Sequence, residues 1–234
     1  MLITIVLPVT GADIGQTSEY FEAHRSADVE LTVTVIDQGP ASIESDLDIA
    51  LAAPAIVRRV REAEANGADA VIINCMADPG LYASREAVRI PVMAPAQSAF
   101  GLAATLSDRF SVLGTTSRDI PFTRDMWRRY GHMDRGASIR VVDLPVLELQ
   151  EDPPRLLERL IAASIDAIQL DGAGALIFGC TLMAPHREDL EAALAERGHR
   201  GIPVIDPLAV ALRTAEMLVR LGIRPSDATW APVA

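Results

Sequence analysis

The chain of 234 residues lacks lysine, so its 21 basic residues are all arginine. Without a lysine ε-amino group, pyridoxal phosphate has no Schiff-base partner, and the lysine of a phosphate-binding P-loop is missing as well. The absence of this one residue type therefore excludes two widespread kinds of enzyme chemistry.

Long apolar runs and a basic surface are also missing. No apolar segment is close in length to the roughly 20 residues that a helix needs to cross a bilayer. The apolar residues 1–7 lack the basic flank of a signal peptide. The formal net charge is −11, and an acidic surface repels the phosphates of nucleic acids. We therefore expect a cytoplasmic protein that binds neither membranes nor nucleic acid.

Aromatic residues make up 4% of the chain while half of it is hydrophobic, which predicts an aliphatic core. Short apolar runs alternate with longer amphipathic stretches, a pattern typical of an α/β fold with a mainly parallel sheet. The predicted strands cover residues 2–7, 29–36, 70–74, 110–114, 139–143, 175–178 and 204–205. The predicted helices cover residues 16–25, 46–66, 79–88, 96–107, 118–130, 155–170, 185–197 and 208–221, with a kink or a fresh start at Pro54.

The two cysteines occupy matching places in an internal repeat. Cys75 closes the apolar segment 70–75, and Cys180 closes a similar segment 105 residues later. Three further pairs of segments recur in the same order: 6–11 with 112–117, 36–37 with 142–143, and 90–95 with 202–207. The repeat predicts two pseudo-symmetric lobes, each with a mainly parallel sheet flanked by helices, and an active site in the cleft between them. We expect the first lobe to comprise residues 1–94 plus 207–234, and the second residues 95–206.

One thiol per lobe suggests acid/base chemistry. A reducing cytoplasm argues against a disulfide, and ligands of parallel sheets bind where the strands end. Asp78 is predicted to cap a helix that starts at Pro79, and Pro185 lies near another helix start. Each thiol is therefore expected just before a helix N-terminus, which stabilises thiolate. Two such thiols can remove and return a proton α to a carbonyl without a cofactor.

Other interpretations are weaker. A cysteine after a buried strand is often a plain core residue, but two at equivalent repeat positions favour catalysis. His186 is expected to point away from Cys180, which argues against a Cys–His hydrolase. Neither a metal-ligand spacing nor a dinucleotide-binding glycine motif is present, so we expect no metal and no cofactor. Asp37 and Asp143 end strands in both halves and are interpreted as loop residues.

The motifs resemble a known family. Residues 75–81 read CMADPGL and resemble the Cys-x-x-Asp-Pro-Gly-Leu motif of hydantoin racemases, and residues 179–183 are similar to their second cysteine motif. Residues 39–44 and 144–148 are similar to two further family segments. The resemblance is to the hydantoin and allantoin racemase branch of the aspartate/glutamate racemase superfamily. It implies two α/β lobes, no cofactor, homo-oligomers, and Cys75 and Cys180 as the acid/base pair.

The resemblance also implies substrate contacts at eight positions: Pro8, Val9, Thr10, Ile43, Met76, Thr115, Thr116 and Thr181. Met76 and Thr181 are expected to offer backbone N–H groups. The family's first loop reads Asn-Pro-Asn-Thr-Ser, but here residues 7–11 read LPVTG. The loss of both asparagines favours racemisation at C5 of a hydantoin with an apolar 5-substituent. The alternatives among enzymes are an allantoin or amino-acid racemase, an arylmalonate-type decarboxylase and a maleate-type cis–trans isomerase. The alternative outside enzymes is a ligand-binding protein, which would have no reason to keep one thiol per lobe.

Overall fold

A computed structural model describes residues 1–12 and 14–231 of the chain. It divides into two compact units. The first unit consists of Met1–Pro95 with Leu208–Ala234, and the second of Ala96–Pro207. The first unit is thus made of two separate stretches of the chain, whereas the second is continuous.

Strands and helices alternate along both units. The elements up to the last strand of the first unit are β1 (Leu2–Leu7), α1 (Ile14–His24), β2 (Glu30–Val35), α2 (Asp46–Ala65), β3 (Ala70–Ile73), α3 (Leu81–Arg85) and β4 (Val92–Met93). The second unit follows with α4 (Pro95–Leu106), β5 (Phe110–Gly114), α5 (Asp119–Tyr130), β6 (Gly136–Val141), α6 (Pro153–Gln169), β7 (Ala175–Phe178), α7 (Arg187–Glu196) and β8 (Val204–Ile205). Two 3₁₀ helices, Val146–Glu148 and Thr181–His186, interrupt its loops. The helices α8 (Pro207–Arg220) and α9 (Asp227–Trp230) complete the first unit.

Each unit contains a four-stranded parallel sheet, in the orders β2-β1-β3-β4 and β6-β5-β7-β8. The predicted α/β class with two parallel sheets flanked by helices is confirmed. The central strands β3 and β7 are buried along their whole length, as expected for parallel strands covered by helices on both faces.

The cores of the two units differ in composition. One face of the first sheet packs on aliphatic residues of α2, and the other on α8 together with Phe21 of α1. In the second unit, an aliphatic cluster includes α6 and α7. There, Phe100, Phe110 and Trp127 form a separate buried aromatic group with ring centroids 5.7–6.5 Å apart. The predicted all-aliphatic core is therefore wrong for this part of the second unit.

Strand pairing shows that the pairs β1–β3 and β3–β4 of the first sheet have the same register as β5–β7 and β7–β8 of the second. Ile3 pairs with Ala70 in the first unit, and Phe110 pairs with Ala175 in the second. Val71 pairs with Val92, and Leu176 pairs with Val204. These pairs fix the repeat at 105 residues for the cysteine-bearing strands and 112 for the last strands, as the sequence predicted. For the first strands the offset is 107, so the predicted alignment of residues 6–11 with 112–117 is wrong by one residue.

Several predicted boundaries need correction. Strand β4 was absent from the predicted strands, and β6 begins three residues earlier and ends two residues earlier than predicted. The helix predicted over 79–88 shrinks to the five residues of α3. Helix α2 runs through Pro54 without a fresh start. Pro54 is exposed, so water can bind the carbonyl that its missing N–H leaves free.

Candidate active site

The first thiol lies in a tight turn after β3. Cys75 is half-buried, and the backbone N–H of Ala77 donates to its Sγ at 3.4 Å. Asp78 has a φ of 45°, donates its N–H to the carbonyl of Cys75 and lies three residues before α3. The prediction that Asp78 caps a helix is therefore wrong, since Gly80 occupies that position. The donor beside this sulfur comes from the turn and not from a helix N-terminus.

Three predicted site residues of the first unit pack on one apolar cluster. Ile43 is a buried member of this cluster, and Val9 and Cys75 are partly buried against it. The three residues therefore share one apolar cluster, whose surface includes the partly buried side chains of Val9 and Cys75. Because aliphatic side chains donate no hydrogen bonds, this surface suits an apolar group.

The remaining predicted residues of the first unit are less available. Pro8 is buried, and Thr10 directs both its N–H and its hydroxyl to the carbonyl of Pro40, at 2.9 and 3.3 Å. The Met76 side chain is 5% exposed. Leu7 belongs to the core cluster on the other face of the sheet. The replacement of asparagine at position 7 is therefore a matter of core packing, and Val9 alone carries the change in polarity.

The second thiol begins a 3₁₀ helix. Cys180 is half-buried, has extended backbone angles and is the N-cap residue of Thr181–His186. The N–H of Met183 closes the turn on the carbonyl of Cys180 at 3.1 Å, as the N–H of Asp78 does on that of Cys75. The two thiols thus lie in equivalent turns. Neither cysteine is part of a disulfide, in line with the expectation.

The loop after β5 is held by a buried carboxylate that the sequence analysis missed. Asp119, 5% exposed, accepts from the N–H of Thr115 at 2.5 Å and from its hydroxyl at 2.9 Å. Thr115 is therefore fixed by Asp119. The buried hydroxyl of Thr116 has no hydrogen-bond partner within the described part of the chain. Because Asp119 is the first residue of α5 and reaches back four residues to Thr115, this role follows from the folded loop and not from a helix-capping pattern in the sequence.

Asn74 is a second residue that the sequence analysis missed. It immediately precedes Cys75 and is half-buried, and its Oδ1 is buried without a partner among residues 1–12 and 14–231. Gly179 holds the equivalent place before Cys180. There a Cβ would lie 2.6 Å from the carbonyl oxygen of Leu113, so only glycine fits without a backbone shift. The residue before the cysteine therefore supplies an amide side chain in the first unit and no side chain in the second.

The predicted loop residues have roles outside the thiol turns. Asp37 is exposed and paired with Arg58; the hydrogen bond to its own backbone and the nearby guanidinium hold its pKa below the ordinary value. Asp143 is exposed and has a φ of 59°. His186 ends the second 3₁₀ helix, and burial lowers its pKa. In the described residues, no cluster of three or more metal-ligating side chains occurs, and no helix is long and apolar enough to cross a membrane.

Comparisons with known proteins agree with this geometry. The family profile described as Asp/Glu/Hydantoin racemase matches residues 13–215. A hydantoin racemase of Rhizobium meliloti is 40% identical over 188 residues, covering 80% of this chain and 75% of that protein. A second, from Pseudomonas sp. (strain NS671), is 34% identical over 229 residues, covering 97% and 89%.

Solved structures show the same fold. The crystal structure of allantoin racemase from Pseudomonas fluorescens superposes with a TM-score of 0.91 at 32% identity, covering 100% of this chain and 97% of the other. The fold, the duplicated thiol turns and the matched family profile agree with one another. The chain therefore belongs to the Asp/Glu/hydantoin racemase family and is an isomerase of the racemase type.

Proposed function

We propose that this protein racemises 5-substituted hydantoins at C5, with Cys75 and Cys180 as a pair of acid/base groups and no cofactor. The observation that carries the proposal is the matching register of β1 with β3 and of β5 with β7, which puts one cysteine thiol in the same turn of each unit. We take the two units to be the two lobes of the racemase. The curated relatives named hydantoin racemases supply the substrate class.

The proposed reaction is a proton transfer in two steps. A thiolate removes the proton from C5 of one enantiomer, and the electron pair of the broken C–H bond moves into the adjacent carbonyl to give an enolate. The other thiol then donates its proton to the opposite face of C5, and the carbonyl re-forms. Starting from the mirror-image substrate, the two sulfurs exchange roles. The N–H of Ala77 favours the charged form of Cys75, because it donates to the sulfur.

The proposed substrate contacts follow the predicted residues: Pro8, Val9, Thr10, Ile43, Met76, Thr115, Thr116 and Thr181. Val9 and Ile43 are proposed to face an apolar 5-substituent, because both pack on the apolar cluster that also contacts Cys75. Backbone N–H groups of Met76 and Thr181 are proposed to bind carbonyl or enolate oxygens.

Allantoin is the second candidate substrate. It is favoured by the high structural similarity to the allantoin racemase of Pseudomonas fluorescens. Its polar ureido group would meet Val9, which offers neither donor nor acceptor in its side chain, and Thr10, whose hydroxyl already donates to Pro40. Burying an unpaired amide group costs about 1–3 kcal/mol, which favours a hydantoin with an apolar 5-substituent over allantoin with its ureido group.

The test is incubation of single-enantiomer 5-benzylhydantoin with the enzyme in deuterated water. We expect the optical rotation to vanish while one deuterium enters C5, as measured by polarimetry and mass spectrometry. Cys75→Ser and Cys180→Ser should each abolish racemisation, because the serine hydroxyl is a far weaker acid than the thiol. Full activity of either variant would rule out the two-thiol mechanism.

Two controls separate the alternatives. His186→Gln should racemise like the unmodified protein, whereas a Cys–His hydrolase would lose its activity with this change. Parallel assays with allantoin and with an arylmalonate identify the substrate. Faster turnover of allantoin than of 5-benzylhydantoin would identify allantoin as the substrate. Release of carbon dioxide from the malonate would favour a decarboxylase.

We also propose that the protein is cytoplasmic and forms a homo-oligomer. Light scattering of the purified protein measures the assembly directly, since one chain has a mass of 25.1 kDa. A scattering mass equal to that of a single chain would refute the oligomer.

A further inference from the structure

The two thiol turns are followed by helices of different size. In the second unit, the segment between the thiol and the last strand is seven residues longer than in the first, and it contains the ten-residue helix α7. In the first unit, the corresponding helix α3 has five residues. A helix this short has little stability of its own and depends on packing.

The segment that follows α8 packs on this short helix. The rings of Trp230 and Tyr82 are tilted, with centroids 5.1 Å apart, and the guanidinium of Arg85 lies 5.8 Å from the centroid of the Trp230 ring. Asp227 pairs with Arg89 at 3.0 Å just beyond α3. Residues 226–229 and 231 are exposed, whereas Trp230 is half-buried. Trp230 is therefore the side chain that anchors the segment on α3.

Two backbone hydrogen bonds connect α3 to the first thiol. The N–H of Leu81, the first residue of α3, donates to the carbonyl of Asp78 at 3.3 Å. The N–H of Asp78 in turn donates to the carbonyl of Cys75 at 3.1 Å. A displacement of α3 thus reaches the Cys75 turn through two successive bonds. The left-handed conformation of Asp78 adds strain that its surroundings must hold in place.

From these contacts we propose that Trp230 is a positioning residue for Cys75. Its ring clamps Tyr82 and Arg85, which fixes α3 and, through Leu81 and Asp78, the turn that presents the thiol. In the second unit, the longer helix α7 follows the thiol instead. The catalytic consequence rests on the proposed two-thiol function, but the effect on the Cys75 turn does not.

The test measures thiol reactivity in the folded chain. Trp230→Ala is treated with iodoacetamide under native conditions, and the alkylation rates of Cys75 and Cys180 are read separately by peptide mass spectrometry. We expect the Cys75 rate to rise about fivefold, the size expected for loss of an aromatic and a cation–π contact, and the Cys180 rate to stay unchanged. Trp230→Phe keeps an aromatic ring and should stay within about twofold of the unmodified rate.

His24→Ala is the matched control. It removes another exposed ring contact of the first unit, the stacking of His24 on Tyr20 in α1, and should leave both alkylation rates unchanged. General loss of stability would raise both cysteine rates together and would overturn the proposal. Equal rates in Trp230→Ala and the unmodified protein would overturn it as well.

The same variants are then assayed for racemisation. With Cys75 displaced, kcat should fall about fivefold while KM stays within about twofold, because the apolar contacts to the substrate remain. A selective rise of Cys75 alkylation in a protein that does not racemise hydantoins would support the positioning role of Trp230 and refute the proposed function. Racemisation without a selective rise of Cys75 alkylation would refute the role of Trp230 and retain the proposed function.

Discussion

The first and second units share strand order and register but differ where their first strands end. The register makes Pro8 the counterpart of Thr115, and Ala12 the counterpart of Asp119. Pro8 has no N–H, so nothing in the loop needs to accept from it. Thr115 has one, and it is satisfied by the buried carboxylate of Asp119. At the same loop position, the first unit thus has no backbone N–H, and the second unit pairs its N–H with a carboxylate.

The residues before the thiols differ for a related reason. Asn74 and Gly179 occupy equivalent places, and the strand next to each ends in Leu7 and Gly114, respectively. In the second unit, both positions are glycine, and a Cβ on Gly179 would lie 2.8 Å from the Cα of Gly114. The strand ends there approach too closely for a side chain. Equivalent thiols can therefore be supported by unlike neighbours, because each sheet is packed independently.

The largest effect is expected when the residue before the second thiol is replaced by the residue found before the first. Gly179→Asn places a Cβ 2.6 Å from the oxygen of Leu113, so the backbone must move. We expect a loss of about 3 kcal/mol or more in the free energy of unfolding, measured by urea denaturation. The reciprocal Asn74→Gly should cost about 1 kcal/mol at most. Equal costs for the two changes would show that the strand ends are not distinct.

A second change removes the carboxylate that only the second unit needs. Asp119→Ala leaves the N–H and hydroxyl of Thr115 without their acceptor and should cost about 2–3 kcal/mol in urea denaturation. Thr115→Pro removes this N–H, as Pro8 does at the equivalent position of the first unit. The double variant is therefore expected to be about 1 kcal/mol more stable than Asp119→Ala alone. A double variant less stable than the single one would refute the equivalence of Pro8 and Thr115.

The smallest effect concerns helix α8 and depends on pH. Glu216 is 3% exposed and accepts from the N–H and hydroxyl of Ser26 and from Arg213. Burial alone raises the pKa of Glu216, but the hydrogen bonds from Ser26 and Arg213 outweigh it and hold the pKa below 4.5. In the second unit, the equivalent position on α4 is Ala104, whose methyl side chain has no charge to titrate.

Because the folded pKa is lowered, the stabilisation by Glu216 is complete above pH 4.5 and is lost as the pH falls through the folded value. Glu216→Gln should cost about 1–2 kcal/mol at pH 7, and the difference from the unmodified protein should shrink below pH 4.5. Urea midpoints of both proteins between pH 7 and 3 measure this. A difference that stays constant over that range would contradict the assignment.

The extent to which the sequence predicted the structure follows from the range of the forces involved. Strands β1, β5, β7 and β8 were predicted to the residue, because buried parallel strands are short unbroken apolar runs. Strand β4 has two residues, as β8 does, and the matching segments 90–95 and 202–207 could have revealed it. Helix α3 is shorter than predicted, and its contact with Trp230, which lies far away in the sequence, is not contained in local patterns.

The candidate site was predicted unevenly for the same reason. The equivalent placement of the two cysteines was predicted because the repeat marks them in the sequence. The partners of the neighbouring residues were not found, since the carboxylate of Asp119 and the carbonyl of Pro40 reach Thr115 and Thr10 only once the chain has folded. The substitution at Leu7 was expected to change the polarity of the site, but alternation along β1 turns this side chain into the core.

The route of the chain through the two units has a consequence for its synthesis. Helix α8 follows the last strand of the second unit, yet Leu208, Ala211, Leu212 and Ala215 fill the core under β1 and β3 of the first. A nascent chain can therefore finish the uninterrupted second unit while the unit begun first still lacks one wall. On the ribosome, the half that is translated earlier is the half that matures last.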